Sequence, residues 1–166
     1  AQREIIQMMA YEPVIIMVVV GVYLVTGSFL AIDVLNYSRP LLVELPLLFV
    51  AFLLVLGIKL RKSPFDFSTS HHAHQELIKG ITTDFSGSQL ALIEVAHWYE
   101  LVLLLGLVAM FFAQPIWVGV LIALGAFVLE VVIDNVSARV TWVWMLRVAW
   151  IAGLGMALAD LVWRYM

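Results

Sequence analysis

Residues 88–112 read SQLALIEVAHWYELVLLLGLVAMFF, and the fold turns on how this stretch is understood. Its second half is unbroken hydrocarbon, while its first half carries Glu94, His97 and Glu100. At about 1.5 Å per helical residue the stretch can cross a hydrocarbon core of about 30 Å. The three ionisable groups recur at every third position, so on a helix they run along one side over about two turns. The reading is a transmembrane helix that carries two acids and an imidazole into apolar surroundings.

The rest of the chain agrees. With 64% hydrophobic residues, 13% charged residues and a mean hydropathy of +1.04, these 166 residues hold more apolar surface than a soluble fold of that length can bury. An all-α, polytopic integral membrane helix bundle is expected. It forms one membrane domain, with spans at 13–32, 41–60, 88–112, 116–133 and 140–163 and a polar loop at 61–87. Pro13 should open the first span, where its missing N–H is no loss, with Tyr11 and Glu12 at the water boundary. Glu44 and Lys59 bracket the second span, and the long amine of Lys59 can snorkel to the interface. The chain starts at Ala1 without an initiator Met or a signal-peptide pattern, as expected of the C-terminal part of a longer polypeptide. The formal charge of −3 is spread over segment ends and the loop, which leaves no basic face for nucleic acid. The lack of cysteine excludes disulfides, thiol catalysis and iron–sulfur ligation by this chain.

Five spans put alternate connections on opposite sides of the membrane. Arg3, Lys59, Arg61, Lys62, Lys79 and Arg139 then share one side, against Arg39 and Arg164 on the other, so the positive-inside rule turns the loop towards the cytoplasm. Trp117, Trp142, Trp144 and Trp163 sit near span ends, as an aromatic belt requires.

A carboxylate in hydrocarbon costs several kcal/mol unless it is paired, hydrated or protonated, which makes intramembrane acids functional candidates. Glu94, His97 and Glu100 form the leading cluster, with an ordinary solvated face as the competing reading. Glu130 and Asp134 share a face of the fourth span. Arg147 on the fifth could neutralise one of them, as a structural ion pair or as part of a transport path. Asp160 and Arg164 read as a boundary pair at i,i+4. His71, His72 and His74 lack the spacing and the cysteine partners of a metal site, so a titrating mouth or a partner contact is the better reading. No phosphate cradle, nucleophile triad or other catalytic pattern occurs.

Pro64-Phe65-Asp66, Gln75-Glu76-Leu77, Gly80, Asp84-Phe85-Ser86-Gly87 and Ala91-Leu92 resemble a known series. It is the P-F-D, E-L, G, E-Y-S-G, A-L run of the membrane subunit that anchors the hydrophilic arm of respiratory complex I and of its hydrogenase relatives. Gln7 with Tyr11-Glu12 resembles that family's Q, then S-Y-E, and Met145-Leu146-Arg147-Val148-Ala149-Trp150 resembles its L-M-R-L-G-W. The departures favour one branch. Where the respiratory enzymes have P-E-A-E-x-E-L, this chain has His72-Ala73-His74-Gln75-Glu76-Leu77, and their later A-E-Y is replaced by Ala96-His97-Trp98. The combination is similar to the membrane subunit of energy-converting (Ech-type) NiFe hydrogenases.

That resemblance implies the C-terminal part of an eight-helix subunit in the cytoplasmic membrane of a prokaryote. It implies a complex that passes electrons from reduced ferredoxin through 4Fe–4S clusters to a NiFe centre, evolves H2 and pumps H+ or Na+. Those cofactors belong to partner subunits, and no catalytic or metal-binding residue is expected in this chain. The implied partners are a NiFe large subunit, an iron–sulfur small subunit and a ferredoxin-like subunit on the cytoplasmic side, with an antiporter-like subunit in the bilayer. Lys62, Pro64, Phe65, Asp66, His71, His72, His74, Glu76 and Asp84 would form the interface loop. Glu12, Glu94, His97, Glu100, Glu130, Asp134 and Arg147 would form the proton or ion pathway. Two alternatives stand beside this: the quinone-site subunit of a complex I-type oxidoreductase, and a stand-alone ion transporter built on Glu94, Glu130 and Arg147.

Overall fold

The computed structural model describes residues 2–60, 84–112, 115–137 and 140–166. The expected interface residues Lys62, Pro64, Phe65, Asp66, His71, His72, His74 and Glu76 lie outside the described residues. The architecture is the expected all-α bundle of a multi-pass membrane protein, with several boundaries moved.

Helix α1 is Gln2–Thr26, and it closes at Gly27, where φ is 71° and the N–H returns to the Tyr23 carbonyl at 2.7 Å. Pro13 therefore lies in the helix interior, which corrects the expectation that it opens the span. An interior proline leaves the carbonyl four residues earlier without its helical donor. That carbonyl is Met9 O, and it accepts the indole N–H of Trp150 at 3.2 Å. The end of the expected first span becomes a separate short helix, α2, Ala31–Leu35.

The second expected span is broken. Leu41–Glu44 forms α3 and Pro46–Lys59 forms α4, with Leu45 between them at φ −136°, ψ 60°. Pro46 causes the break, because its ring disfavours helical backbone at the residue before it. At 14 residues, α4 is about 21 Å long and shorter than the hydrocarbon core. Four helices are long and apolar enough to cross: Met8–Thr26, Gly87–Met110, Ile116–Val136 and Val143–Arg164. The short α4 is instead the central helix, with Leu48, Phe52, Leu56 and Ile58 fully buried.

Helices α5, Gly87–Met110, and α6, Ile116–Val136, pack on one another as an antiparallel hairpin. The last span is one continuous rod: α7, Trp142–Arg147, a π-helical stretch over Val148–Leu154, and α8, Gly155–Tyr165. Helix α4 packs against α1, the π stretch and α8, while α5 is tied to α4 at both of its ends. At the end away from the loop, Leu42 N–H donates to Phe111 O at 3.2 Å, and the Phe49 and Phe111 rings lie 5.1 Å apart. Val102, Leu103, Leu121 and Val128 point outwards from the hairpin, as a surface in lipid requires.

That same far end is held by charges. Asp160 Oδ2 accepts the backbone N–H of Leu48 at 2.8 Å, one of the donors that the first turn of α4 cannot satisfy itself. The expected local role of Asp160 beside Arg164 thus extends to capping another helix. Arg164 Nη1 binds Glu44 Oε2 at 2.5 Å, and Arg39 Nη1 lies 3.6 Å from Glu44 Oε1.

Candidate functional site: the loop-side junction of four helices

At the opposite end, where residue 60 leaves α4 and residue 84 returns to α5, side chains from four helices meet. Lys59 ends α4, and its ammonium makes three interactions. It donates to Tyr11 OH at 3.2 Å, stands 4.2 Å from the centre of the Tyr11 ring, and binds Glu100 Oε1 at 2.6 Å. One cation thereby ties α1, α4 and α5 together, with a cation–π contact added to a charged hydrogen bond. Tyr11 is buried, whereas Lys59 and Glu100 are partly accessible.

The other acid of this region is Glu130 on α6. It falls in register with Gly119, Ala123 and Ala126, so the inner face of α6 is a row of small residues that ends in a carboxylate. Glu130 is 6% exposed, and among the described residues it has no hydrogen bond or ion pair. Its carboxylate rests on Gly57 of α4: a Cβ placed there would stand 2.6 Å from Glu130 Oε2. Asp134, one turn on, is half-buried.

The expected pathway residues therefore separate. Glu100 and Glu130 reach the junction, and His97 is half-buried one turn before Glu100. Glu94 and Glu12 lie on the exposed surface of the described residues. Arg147 is exposed too and makes no ion pair among the described residues, so the expected neutralisation of Glu130 or Asp134 by Arg147 is not formed. The reason is packing: α7 rests on α1, while α6 rests on α5. Asp84 is exposed at the start of the return to α5, and Gly87 follows it with φ 58°. Among the described residues no three His, Cys, Asp or Glu converge as a metal site would need.

Sequence reasoning missed Lys59 as a member of the site and missed Gly57 altogether. The signal for Lys59 was present, since the one cation ending α4 lies level with the acids that begin α5. Gly57 gave none, because a glycine in an apolar run does not name the helix it faces.

An apolar cavity of about 220 Å³ lies in the other half of the bundle, between α1, α4 and α5. Val18, Val22, Phe52, Leu107 and Phe111 line it, and Ser28 is its one polar side chain. It suits a hydrocarbon chain and offers little to a polar head group.

Known proteins provide the remaining findings. The H subunit of the NADH-quinone oxidoreductase of Geobacillus kaustophilus is 30% identical over 112 residues, which is 66% of this chain and 33% of that protein. The corresponding protein of Brevibacillus brevis is 31% identical over 98 residues, covering 58% of this chain and 28% of its own length. That of Thermomicrobium roseum is 26% identical over 181 residues, covering 97% of this chain and 52% of its own length. The chain thus spans between about a third and a half of the curated relatives it matches. No solved structure matches. The NADH dehydrogenase family profile covers residues 1–165, and the chain belongs to that family.

Proposed function

We propose that this chain is the membrane-anchoring, ion-translocation-coupling subunit of a ferredoxin-dependent, proton-reducing NiFe hydrogenase complex. The loop would dock on the hydrophilic subunits, whose NiFe centre and 4Fe–4S clusters do the redox chemistry. The junction beneath it would carry the electrostatic change into the membrane. The observation that carries this reading is the Lys59 knot, in which one ammonium joins Tyr11 of α1 to Glu100 of α5 at the point where the loop leaves α4. A proton or electron arriving above such a knot changes which acid the ammonium neutralises, and a neighbouring station answers by gaining or losing a proton. The branch assignment within the family draws on His72, His74 and His97, which stand where the respiratory subunits have acids.

A second reading is favoured by the relatives, all of them named as quinone oxidoreductase subunits. It makes the chain part of a complex I-type quinone reductase with the same ion pathway. Purified complex separates the two: H2 evolution from reduced ferredoxin supports the first, and reduction of a quinone analogue without H2 supports the second. Within either, Glu100→Gln should lower the number of ions moved per electron more than it lowers electron transfer itself. Unchanged pumping per electron in vesicles carrying this variant would remove Glu100 from the pathway.

A further inference from the structure

We propose that Gly57 is a positioning residue: its missing side chain seats the Glu130 carboxyl against the backbone of α4 and makes the α4–α6 crossing a proton-accepting station apart from the Lys59–Glu100 pair. This deepens the ion-pathway reading above and rests on it only for the use made of the station. The seat is a matter of geometry. A Cβ at Gly57 would meet Glu130 Oε2 at 2.6 Å, the side-chain carbon Cδ at 3.3 Å and Oε1 at 3.5 Å. The whole carboxyl therefore occupies the space that any other residue would fill. Real Cβ contacts do not come so close, so an alanine here displaces the acid.

Both partners are held where they are by their helices. Gly57 is buried between the buried Leu56 and Ile58. Glu130 lies on the inner face of α6 by register with Gly119, Ala123 and Ala126, so it cannot leave by a small rotation of a surface side chain. Glycine in an apolar helix costs about 1 kcal/mol relative to alanine, and its presence at this contact calls for a packing reason. The acid supplies it. An uncompensated carboxylate among apolar helices costs several kcal/mol, so a leucine or alanine would serve packing better. What Glu130 adds is a group that takes up and gives back a proton, while Lys59 is engaged with Glu100 and Tyr11.

Membranes carrying the complete complex are treated with the apolar reagent dicyclohexylcarbodiimide. It adds to a protonated carboxyl, the carboxyl oxygen bonding to the carbodiimide carbon and the proton passing to nitrogen, before rearrangement to a stable N-acylurea that mass spectrometry locates. The parent protein should carry the adduct at Glu130. Gly57→Ala should lower its yield several-fold, and Gly57→Ala with Glu130→Asp should restore labelling at residue 130, because the shorter acid clears the added methyl. An unlabelled Glu130 in the parent, an unchanged yield in Gly57→Ala, or a double variant no better than Gly57→Ala would each overturn the proposal. Should Gly57→Ala fail to accumulate, Gly57→Ala with Glu130→Ala should accumulate normally, and equal loss in both would overturn it as well. None of these readings depends on whether ions are pumped, so a failed pathway and a failed seat are told apart.

Discussion

The two polar ends of this bundle are built on opposite plans. At the far end Arg39 and Arg164 share Glu44, and Asp160 satisfies the first turn of α4 through Leu48 N–H. Its charges balance and each one joins two elements of the chain. At the loop side one ammonium serves Tyr11 and Glu100, while a second buried acid, Glu130, has no counter-charge among the described residues. Ionic groups that only hold helices together are expected to be satisfied, since an unpaired buried charge costs more than the pair contributes. The far end meets that condition and the loop side does not, which marks the loop side as the end where protonation has work to do.

If so, variants of the far end cost stability and variants of the loop side cost coupling. The largest stability effect is expected at Asp160. Asp160→Ala removes a charged acceptor from a buried N–H at the dipole-positive end of α4, at a cost of about 2–3 kcal/mol. Asp160→Asn, which keeps an acceptor, should lose about half of that. Denaturant titration of the purified protein in detergent reads both, and equal losses would show that the carboxylate charge contributes nothing. Next comes Glu44→Gln, which leaves two guanidiniums facing each other across a partly buried site. It should cost about 1–2 kcal/mol, between the values for surface and buried pairs. Adding Arg164→Leu should recover part of that loss. Lys59→Met inverts the pattern: it should cost about 1 kcal/mol or less, because both partners remain partly in contact with water. Ions moved per electron should nevertheless fall several-fold. A Lys59→Met protein that unfolds like Asp160→Ala and pumps like the parent would erase the distinction between the two ends.

The parts of this contrast that were legible in the sequence are those set by pattern along one helix. Long apolar runs showed the all-α membrane fold, and the three-residue spacing put His97 and Glu100 on one side of α5. What escaped was set by azimuth and by distant partners. Pro13 at the head of an apolar run reads as a helix start, and only Trp150, brought in by the last span, shows how an interior proline is accommodated. Asp160 has Arg164 one turn away, and nothing local says that α4 begins beside it with an unsatisfied N–H. The depth of Arg147 could be read, but not the fact that α7 faces α1 rather than α6. The break at Leu45 was readable from Pro46 and was passed over, because an apolar run of spanning length argued louder than one residue.

The smallest effect probes the seam between the two ends, where α1 meets the π stretch. Pro13 removes the N–H that Met9 O would otherwise accept, and Trp150, within the π-helical Val148–Leu154, supplies a donor from another helix. On the other side of the same contact Gly153 approaches Val14 Cγ2, which a Cβ would meet at 3.3 Å. Interhelical hydrogen bonds in membranes contribute about 0.6 kcal/mol on average, so Trp150→Phe should cost about that much. The informative measurement is the cycle with Pro13→Ala. That change returns an N–H to position 13, so Met9 O regains its own helical partner and Trp150→Phe should then cost close to nothing. An equal cost in both backgrounds would mean that the indole acts here by packing alone. A vanishing one would show that the proline and the tryptophan, far apart in sequence, work as one device that holds α1 against the last span, and so fixes Tyr11 and Asp160 at their opposite ends of the bundle.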